Sequence, residues 1–277
     1  MFGQILNIAG EELKYSFASF GHRLRSSNRR LEKVLVNGSP KTGTTWMLKM
    51  MVSVPGYQRA RAYNFQGDID QYRQMLPGEV AHGHDPYTTE LWNILFDASV
   101  KVILMLRDPR DRLVSHMFHI KRDATLPWHE AMKEMSDEEA LLVCIEGGLD
   151  KLPSVEQMQD LTQSWLGAGD KALCVKYEDL ILDPISQLHR VFQYLDIVAN
   201  DKLLEAIVER NRFERMSIGP KVWKAVRKPG QQDAASHFRK GIVGDWKNHF
   251  KAEHVQRFKE LAGQTLIDLG YEKDFNW

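Results

Sequence analysis

Apolar and polar positions change their period several times along the chain. In residues 2–24, Phe2, Ile5, Leu6, Ala9, Leu13, Phe17, Phe20 and Leu24 fall at three- and four-residue steps, the spacing of one helix face. Arg23, Arg25, Arg29, Arg30 and Lys33 follow. This pattern suits a membrane-surface helix with a basic end or a helix packed on the core. The second is preferred, because amphipathicity is what any surface helix shows. From residue 33 onward short apolar runs alternate with helical periods. Strands are predicted at 33–37, 80–82, 100–106 and 171–177, and helices at 44–54, 109–121, 185–195, 202–211 and 252–269. The run Val-Lys-Val-Ile-Leu-Met-Leu at 100–106 is almost continuously apolar, as expected of a strand covered on both faces. Pro109 stands where a proline suits the first turn of a helix.

Strand–helix alternation points to an α/β fold: a single domain with a central parallel sheet flanked by helices. Residues 1–32 read as the N-terminal helix and basic linker packed on a domain spanning 33–277. The segment 217–244 is irregular and carries Pro220, Pro229, Gly219, Gly230, Gly241 and Gly244. A loop of that length in a compact domain is usually functional or disordered.

Composition narrows the function. The 277 residues carry 37 Lys+Arg and 37 Asp+Glu, whereas a protein holding nucleic acid through counterion release usually shows a basic excess. Neither a targeting segment nor a run long enough to span a membrane is visible, so a reducing, cytoplasmic compartment is the default. The two cysteines, Cys144 and Cys174, sit in apolar runs and read as small buried hydrophobes rather than as a disulfide or a metal site.

Three segments carry anion-binding chemistry. The first strand runs into Gly38-Ser39-Pro40-Lys41-Thr42-Gly43-Thr44-Thr45-Trp46. A strand, a glycine loop and a helix start aim backbone N–H groups at a phosphate. Against the triphosphate-binding pattern G-x-x-x-x-G-K-[ST] the glycines and Thr45 fit, but Thr44 occupies the lysine position. The loop's lysine, Lys41, stands three residues earlier, placed to meet the end of a short diphosphate-like chain. The strand at 100–106 ends in Arg107, where a metal-dependent nucleotidase often places an acid. The second segment, Arg107 to Ser115, brings an arginine fork and a hydroxyl suited to a phosphate monoester, although Arg/Asp alternation is more often a surface salt-bridge network. The third, Arg239-Lys240-Gly241, sets two cations before a glycine in a loop that could close over an anion. Three separated anion sites imply a ligand with phosphate at two ends, not a linear triphosphate, and the partner that would hold magnesium is missing, so no metal is expected.

Together these segments resemble the cytosolic-type sulfotransferases that use 3′-phosphoadenosine 5′-phosphosulfate (PAPS). SPKTGTTW resembles the family's 5′-phosphosulfate loop, RDPRDRLVSH its 3′-phosphate motif and RKGIVGDWKN its C-terminal closing loop. The resemblance implies a P-loop-like nucleotide-binding fold. It also implies that Lys41 contacts the sulfuryl-bridging oxygen and that Thr42, Gly43, Thr44 and Thr45 hold the 5′-phosphate. Trp46 and Tyr177 would meet adenine, Arg107 and Ser115 the 3′-phosphate, and Arg239, Lys240 and Gly241 would close over it. The family's catalytic histidine lies in K-T-H-x-P. Here His82-Gly83-His84-Asp85-Pro86 stands in that place, which makes His84 the base, with His82 as the alternative. Of the family's dimerisation pattern at 247–256 only Lys247 is present.

The expected activity is sulfuryl transfer from PAPS to a hydroxyl on a small molecule (a phenol, alcohol or lipid-like acceptor), leaving 3′,5′-adenosine bisphosphate (PAP). A nucleotide kinase or hydrolase using the glycine loop is one rival, and a non-catalytic nucleotide-binding module another. Tyr63, Phe65, Tyr87, Trp128 and Trp223 are candidate walls of the acceptor pocket.

Overall fold

The computed structural model describes residues 12–16, 18–19, 31–61, 68–217, 227–231 and 239–277. Its frame is a five-stranded sheet of β1 (Lys33–Asn37), β2 (Gln58–Arg59), β3 (Glu79–His82), β4 (Val100–Leu106) and β5 (Leu173–Lys176). The strand order is β2-β3-β1-β4-β5 and every pairing is parallel. Val34 and Val36 pair with Val80 and His82 on one side of β1 and with Lys101 and Ile103 on the other. The chain starts at the centre, extends to one edge, then crosses back to build the other. That reversal beside β1 is a topological switch point, where ligands bind at the carboxyl ends of the strands.

Alternate side chains of the sheet feed two cores, as the two-residue period of a strand requires. Val34, Val36, Ile103 and Met105 join Met47, Met51, Leu188 and Val191 on one face. Leu35, Ala81, Val102 and Leu104 join Leu91, Leu95 and Trp165 on the other. Each Val, Leu, Ile or Met among them is worth about 1.5–3 kcal/mol on full burial. A third core, built by Leu113, Met117, Leu141, Cys144, Phe258 and Leu266, packs helices together beyond the sheet.

Four helices matter to the site: α1 (Thr44–Val52), α2 (Pro109–Arg122), α3 (Tyr177–Leu182) and α4 (Phe213–Met216). The predicted strands and helices are found with ends shifted by at most two residues, and 33–37 and 100–106 are unshifted. Residue 177 begins a helix instead of ending a strand. Strand β2 and the helices Thr89–Asp97, Asp137–Glu146 and Asp160–Gly167 were not expected. Thr89–Asp97 has a Thr88 cap, and Asp137–Glu146 a Ser136/Glu139 capping box, both legible signals of a helix start. Of the N-terminal helix, residues 12–16 and 18–19 are described and helical. Tyr15 Oη donates to the Ser53 carbonyl at 2.6 Å, and Glu12 pairs with Arg210 and Arg215 at 2.8 and 3.2 Å. Most of the segment 217–244 lies outside the described residues. No helix among the described residues is long and apolar enough to cross a membrane.

Candidate functional site

Because all strands are parallel, their carboxyl ends share one edge, and four of them deliver the chemistry. The loop after β1 carries Lys41, the turn after β3 His84, the end of β4 Arg107, and the end of β5 Tyr177. These open on one cavity of about 1070 Å³, larger than the ~300–1,000 Å³ of a usual single-ligand pocket. The cavity is lined by every predicted site residue except Thr42. Thr42 is buried, and its hydroxyl donates to the Ser39 carbonyl at 2.8 Å. Its amide donates to the same carbonyl at 3.3 Å, so Thr42 closes the loop on itself.

The glycine loop is shaped by two backbone demands. Gly43 has φ +97°, and a Cβ there would meet Tyr177 Cδ2 at 2.8 Å. Lys41 adopts φ +73°, an uncommon conformation for a residue with a side chain. Gly43 begins α1 with no side chain capping the first amides, so the helix presents donors and the positive end of its dipole to the cavity. Trp46 hydrogen-bonds the Asn211 carbonyl through Nε1 at 2.7 Å and meets Tyr177 edge-on at 5.7 Å. The Tyr177 ring also supports the Arg107 guanidinium, 4.4 Å from its centroid, and Arg107 Nη1 donates to the Lys41 carbonyl at 3.1 Å.

Six cationic residues line the cavity among the described residues: Lys41, Arg107, Arg112, Arg212, Arg239 and Lys240. One carboxylate, Glu214, accompanies them. The crowding is felt at Lys41: burial, then the charges of Arg122 and Arg107, push its ammonium down to about 7. Arg239 and Lys240 reach Asp245 at 2.5 and 2.8 Å. Burial alone would favour protonation of Asp245, but hydrogen bonds from His249, Lys240, Asn248 and Arg239 hold it well below the usual carboxylate range. Asp111, in α2, accepts the Gly244 and Trp246 amides at 2.7 and 2.8 Å and ties this segment to the site.

The two histidines of β3 and its turn have different partners. His84 Nδ1 lies 2.5 Å from the Gly38 carbonyl oxygen. A carbonyl can only accept, so Nδ1 carries the proton and Nε2 keeps its lone pair. Burial holds this imidazole below its ordinary pKa, against the opposing pull of the Gly38 carbonyl and Asp85. His82 Nε2 is 2.8 Å from Thr44 Oγ1, and burial pushes its pKa down to about 3. Asp85 is buried; its carboxylate accepts from Tyr72 Oη at 2.5 Å and its backbone is bracketed by Asn37 and Trp165.

The Arg/Asp string is not the surface network its alternation suggested. Asp108 caps α2 through the Arg110 amide at 2.9 Å and pairs with Arg110 Nη2 at 2.7 Å. Arg110 also reaches Glu272 at 2.6 Å and lies 4.0 and 4.6 Å from the ring centroids of Trp246 and Trp277. Arg107 and Ser115 line the cavity as expected. Arg112, His116 and His119 line it too and were not singled out. Their signal was the spacing 112, 115, 116, 119 on one helix face. Trp128 lines the cavity, whereas Tyr87 turns to Trp165, 5.4 Å away. Tyr63, Phe65 and Trp223 lie outside the described residues.

Residues 31–270 match the sulfotransferase domain family. Sulfotransferase 1B1 of Canis lupus familiaris is 23% identical over 94% of this chain and 93% of its own. In three dimensions the chain is similar to mouse sulfotransferase SULT7A1 complexed with PAP, with a TM-score of 0.67 at 23% identity over 92% of both chains. It also resembles a retinol dehydratase in complex with androsterone and PAP, with a TM-score of 0.60 at 17% identity over 89% of this chain and 86% of that one. A parallel sheet whose strand ends gather a glycine loop, a buried lysine and a histidine in one cationic cavity thus coincides with a match over most of the sequence, and the chain belongs to the sulfotransferase family.

Proposed function

We propose that this sulfotransferase works with His84 as the base that takes the acceptor's hydroxyl proton and Lys41 as the cation that steadies the departing phosphate. PAPS, when bound, supplies the sulfuryl group on a 3′,5′-bisphosphate. The cavity fits such a donor: the uncapped amides of α1, the space kept by Gly43 and the excess of cations all favour a polyanion. Gly43, Thr44 and Thr45 hold the 5′-phosphate, and Thr42 shapes the loop that presents them. Arg107 and Ser115 hold the 3′-phosphate, Trp46 and Tyr177 the adenine, and Arg239, Lys240 and Gly241 close the far side. Positioning and charge stabilisation carry the rate.

The observation that carries the base assignment is the His84–Gly38 hydrogen bond, which leaves Nε2 as an acceptor on a side chain that lines the cavity with Lys41. His82, engaged with Thr44, positions the glycine loop. The test is transfer of labelled sulfuryl from PAPS to a panel of phenols and alcohols by His84→Ala and His82→Ala. His84→Ala should lose ~10²–10⁴-fold in kcat with PAP binding nearly intact, and less with acidic phenols than with aliphatic alcohols. His82→Ala should be mild. A dead His82→Ala beside an active His84→Ala moves the base, and two active variants remove both histidines from the role. A wild-type chain that binds PAP yet transfers to no acceptor would favour the non-catalytic reading.

The acceptor is a small molecule with a hydroxyl, taken against Leu126, Trp128 and Met158 on the cavity wall. The contacts of Tyr15 and Glu12 support residues 1–32 as a helix and linker seated on a domain of 33–277. The unpaired thiols Cys144 and Cys174 suit a cytoplasmic compartment.

A further inference from the structure

Helix α2 brings more polar chemistry into the cavity than the nucleotide uses. Arg112 is 2% exposed and lines the cavity, and its Nη2 has no hydrogen-bond partner among the described residues. It forms no ion pair there either. His116, one turn on, is 8% exposed, lines the same wall, and neither ring nitrogen has a hydrogen-bond partner among the described residues. His119 Nδ1 accepts from Arg122 Nη2 at 2.6 Å, so in the neutral ring the proton sits on Nε2 as a donor. A buried guanidinium without an anion is costly, and the cost is recovered when an anion meets it.

We propose that Arg112, His116 and His119 form a subsite for an anionic group on the acceptor, so that this sulfotransferase prefers hydroxyl compounds that also carry a carboxylate or a similar oxyanion. The inference rests on the proposed function for the place of the nucleotide. The cofactor's phosphates already have the α1 amides, Arg107, Ser115 and the Arg239–Gly241 segment. The α2 wall shares one cavity with the transfer centre, since Arg112, His116 and His119 line it together with Lys41 and His84. Beside it, the Trp128 ring lies 6.5 Å from His116, and Leu126 and Met158 line the same cavity. They give an apolar bed for the body of the acceptor. From Arg112 to His119 the helix rises about 10 Å at ~1.5 Å per residue. That length suits a compact acceptor, one ring with a short acidic chain, better than a long lipid.

The test uses the full chain and a matched pair of probes, 3-(4-hydroxyphenyl)propanoate and its methyl ester. Both equilibrium binding to PAP-saturated protein and turnover with labelled PAPS are measured. Wild type should favour the carboxylate about tenfold or more, the range of a charge-assisted contact. Arg112→Met, which keeps the length of the side chain, should narrow that preference to about threefold or less with PAP affinity changed by no more than about threefold. It should also melt at the same or a higher temperature than wild type, since an unpaired buried charge is gone. Equal or better binding of the ester by wild type, or no binding of the carboxylate, overturns the proposal without needing the variant to fold. Loss of PAP affinity in Arg112→Met with the carboxylate preference intact also overturns it, because the anion met by Arg112 is then the cofactor's phosphate. Failure of wild type to bind PAP at all would instead sink the function proposed above, and the probe pair is then read on the protein alone.

Discussion

Lys41 should make nucleotide binding take up a proton. Its ammonium is pushed from 10.5 down to about 7 by burial and by the like charges of Arg122 and Arg107. At 1.36 kcal/mol per pKa unit, that displacement costs the charged form roughly 5 kcal/mol. The figure is an upper bound, because part of the side chain opens on the cavity. The sign follows directly. Between pH 7 and 10.5 the unfolded chain binds more protons here than the folded one, so the stability of the nucleotide-free protein rises with pH through that window. Below pH 7 the whole penalty is present. Phosphate groups beside Lys41 reverse the balance by favouring its charged form, and the proton returns as the nucleotide binds.

Calorimetric titration of PAP at pH 8.5, in two buffers of different ionisation heat, reads the proton directly. At that pH the phosphates of PAP are fully ionised, their second pKa being about 6. His82, His116 and His119, pushed down to about 3, 3 and 4, are neutral. Uptake should therefore approach one proton per PAP in wild type and vanish in Lys41→Met. Affinity should fall by up to about tenfold per pH unit above pH 7 in wild type, and stay flat in the variant. No proton uptake at pH 8.5, or the same pH slope in Lys41→Met, would refute the account of Lys41 as a cation unsettled by its neighbours.

Two further outcomes test the nucleotide site. Arg107→Ala should weaken PAP by ~1.5–3 kcal/mol while barely affecting adenosine 5′-phosphate; equal loss for both ligands in competition binding removes Arg107 from the 3′-phosphate. Gly43→Ala places a side chain at φ +97° against Tyr177, so it should cost on the order of 1–3 kcal/mol of stability and weaken PAP as the loop shifts. Unchanged melting and unchanged PAP affinity would show that the loop does not need the glycine.

Much of the frame was legible because its signals are local. The apolar run at 100–106 becomes the seven-residue strand β4, buried on both faces as its composition implied. Pro109 starts α2 under an Asp108 cap. The loop after β1 announced its own geometry through Gly38, Lys41 and Gly43. Less legible were the short elements whose burial is tertiary: β2 is a two-residue edge strand recognised only by its pairing with Glu79 and Val80. The spacing to Pro86 singled out His84, but the hydrogen-bond partners of His82 and His84 were closed to sequence reasoning. Two residues of spacing say nothing of which ring meets a carbonyl and which a hydroxyl.

The string Arg107-Asp108-Pro109-Arg110-Asp111-Arg112 shows why the rest was hidden. Read as letters, three arginines and two aspartates nearly cancel, and a solvated network follows. Folding separates them by phase. Arg107 ends a strand, so it projects from the sheet edge onto Tyr177. Arg110 turns back onto Asp108 and Glu272 between two tryptophans. Asp111 spends both carboxylate oxygens on the amides of Gly244 and Trp246. The acids are thus consumed by a cap and a loop anchor, and Arg107 and Arg112 are left facing the cavity without an ion pair among the described residues. Net charge along the segment is conserved, but its spatial distribution is not. The strand end and a helix turning about 100° per residue together divide a nearly neutral string into a cationic wall on one side and a clamp on the other. The first is the surface on which an anionic ligand is proposed to bind, and the second anchors the start of α2 to the C-terminal segment.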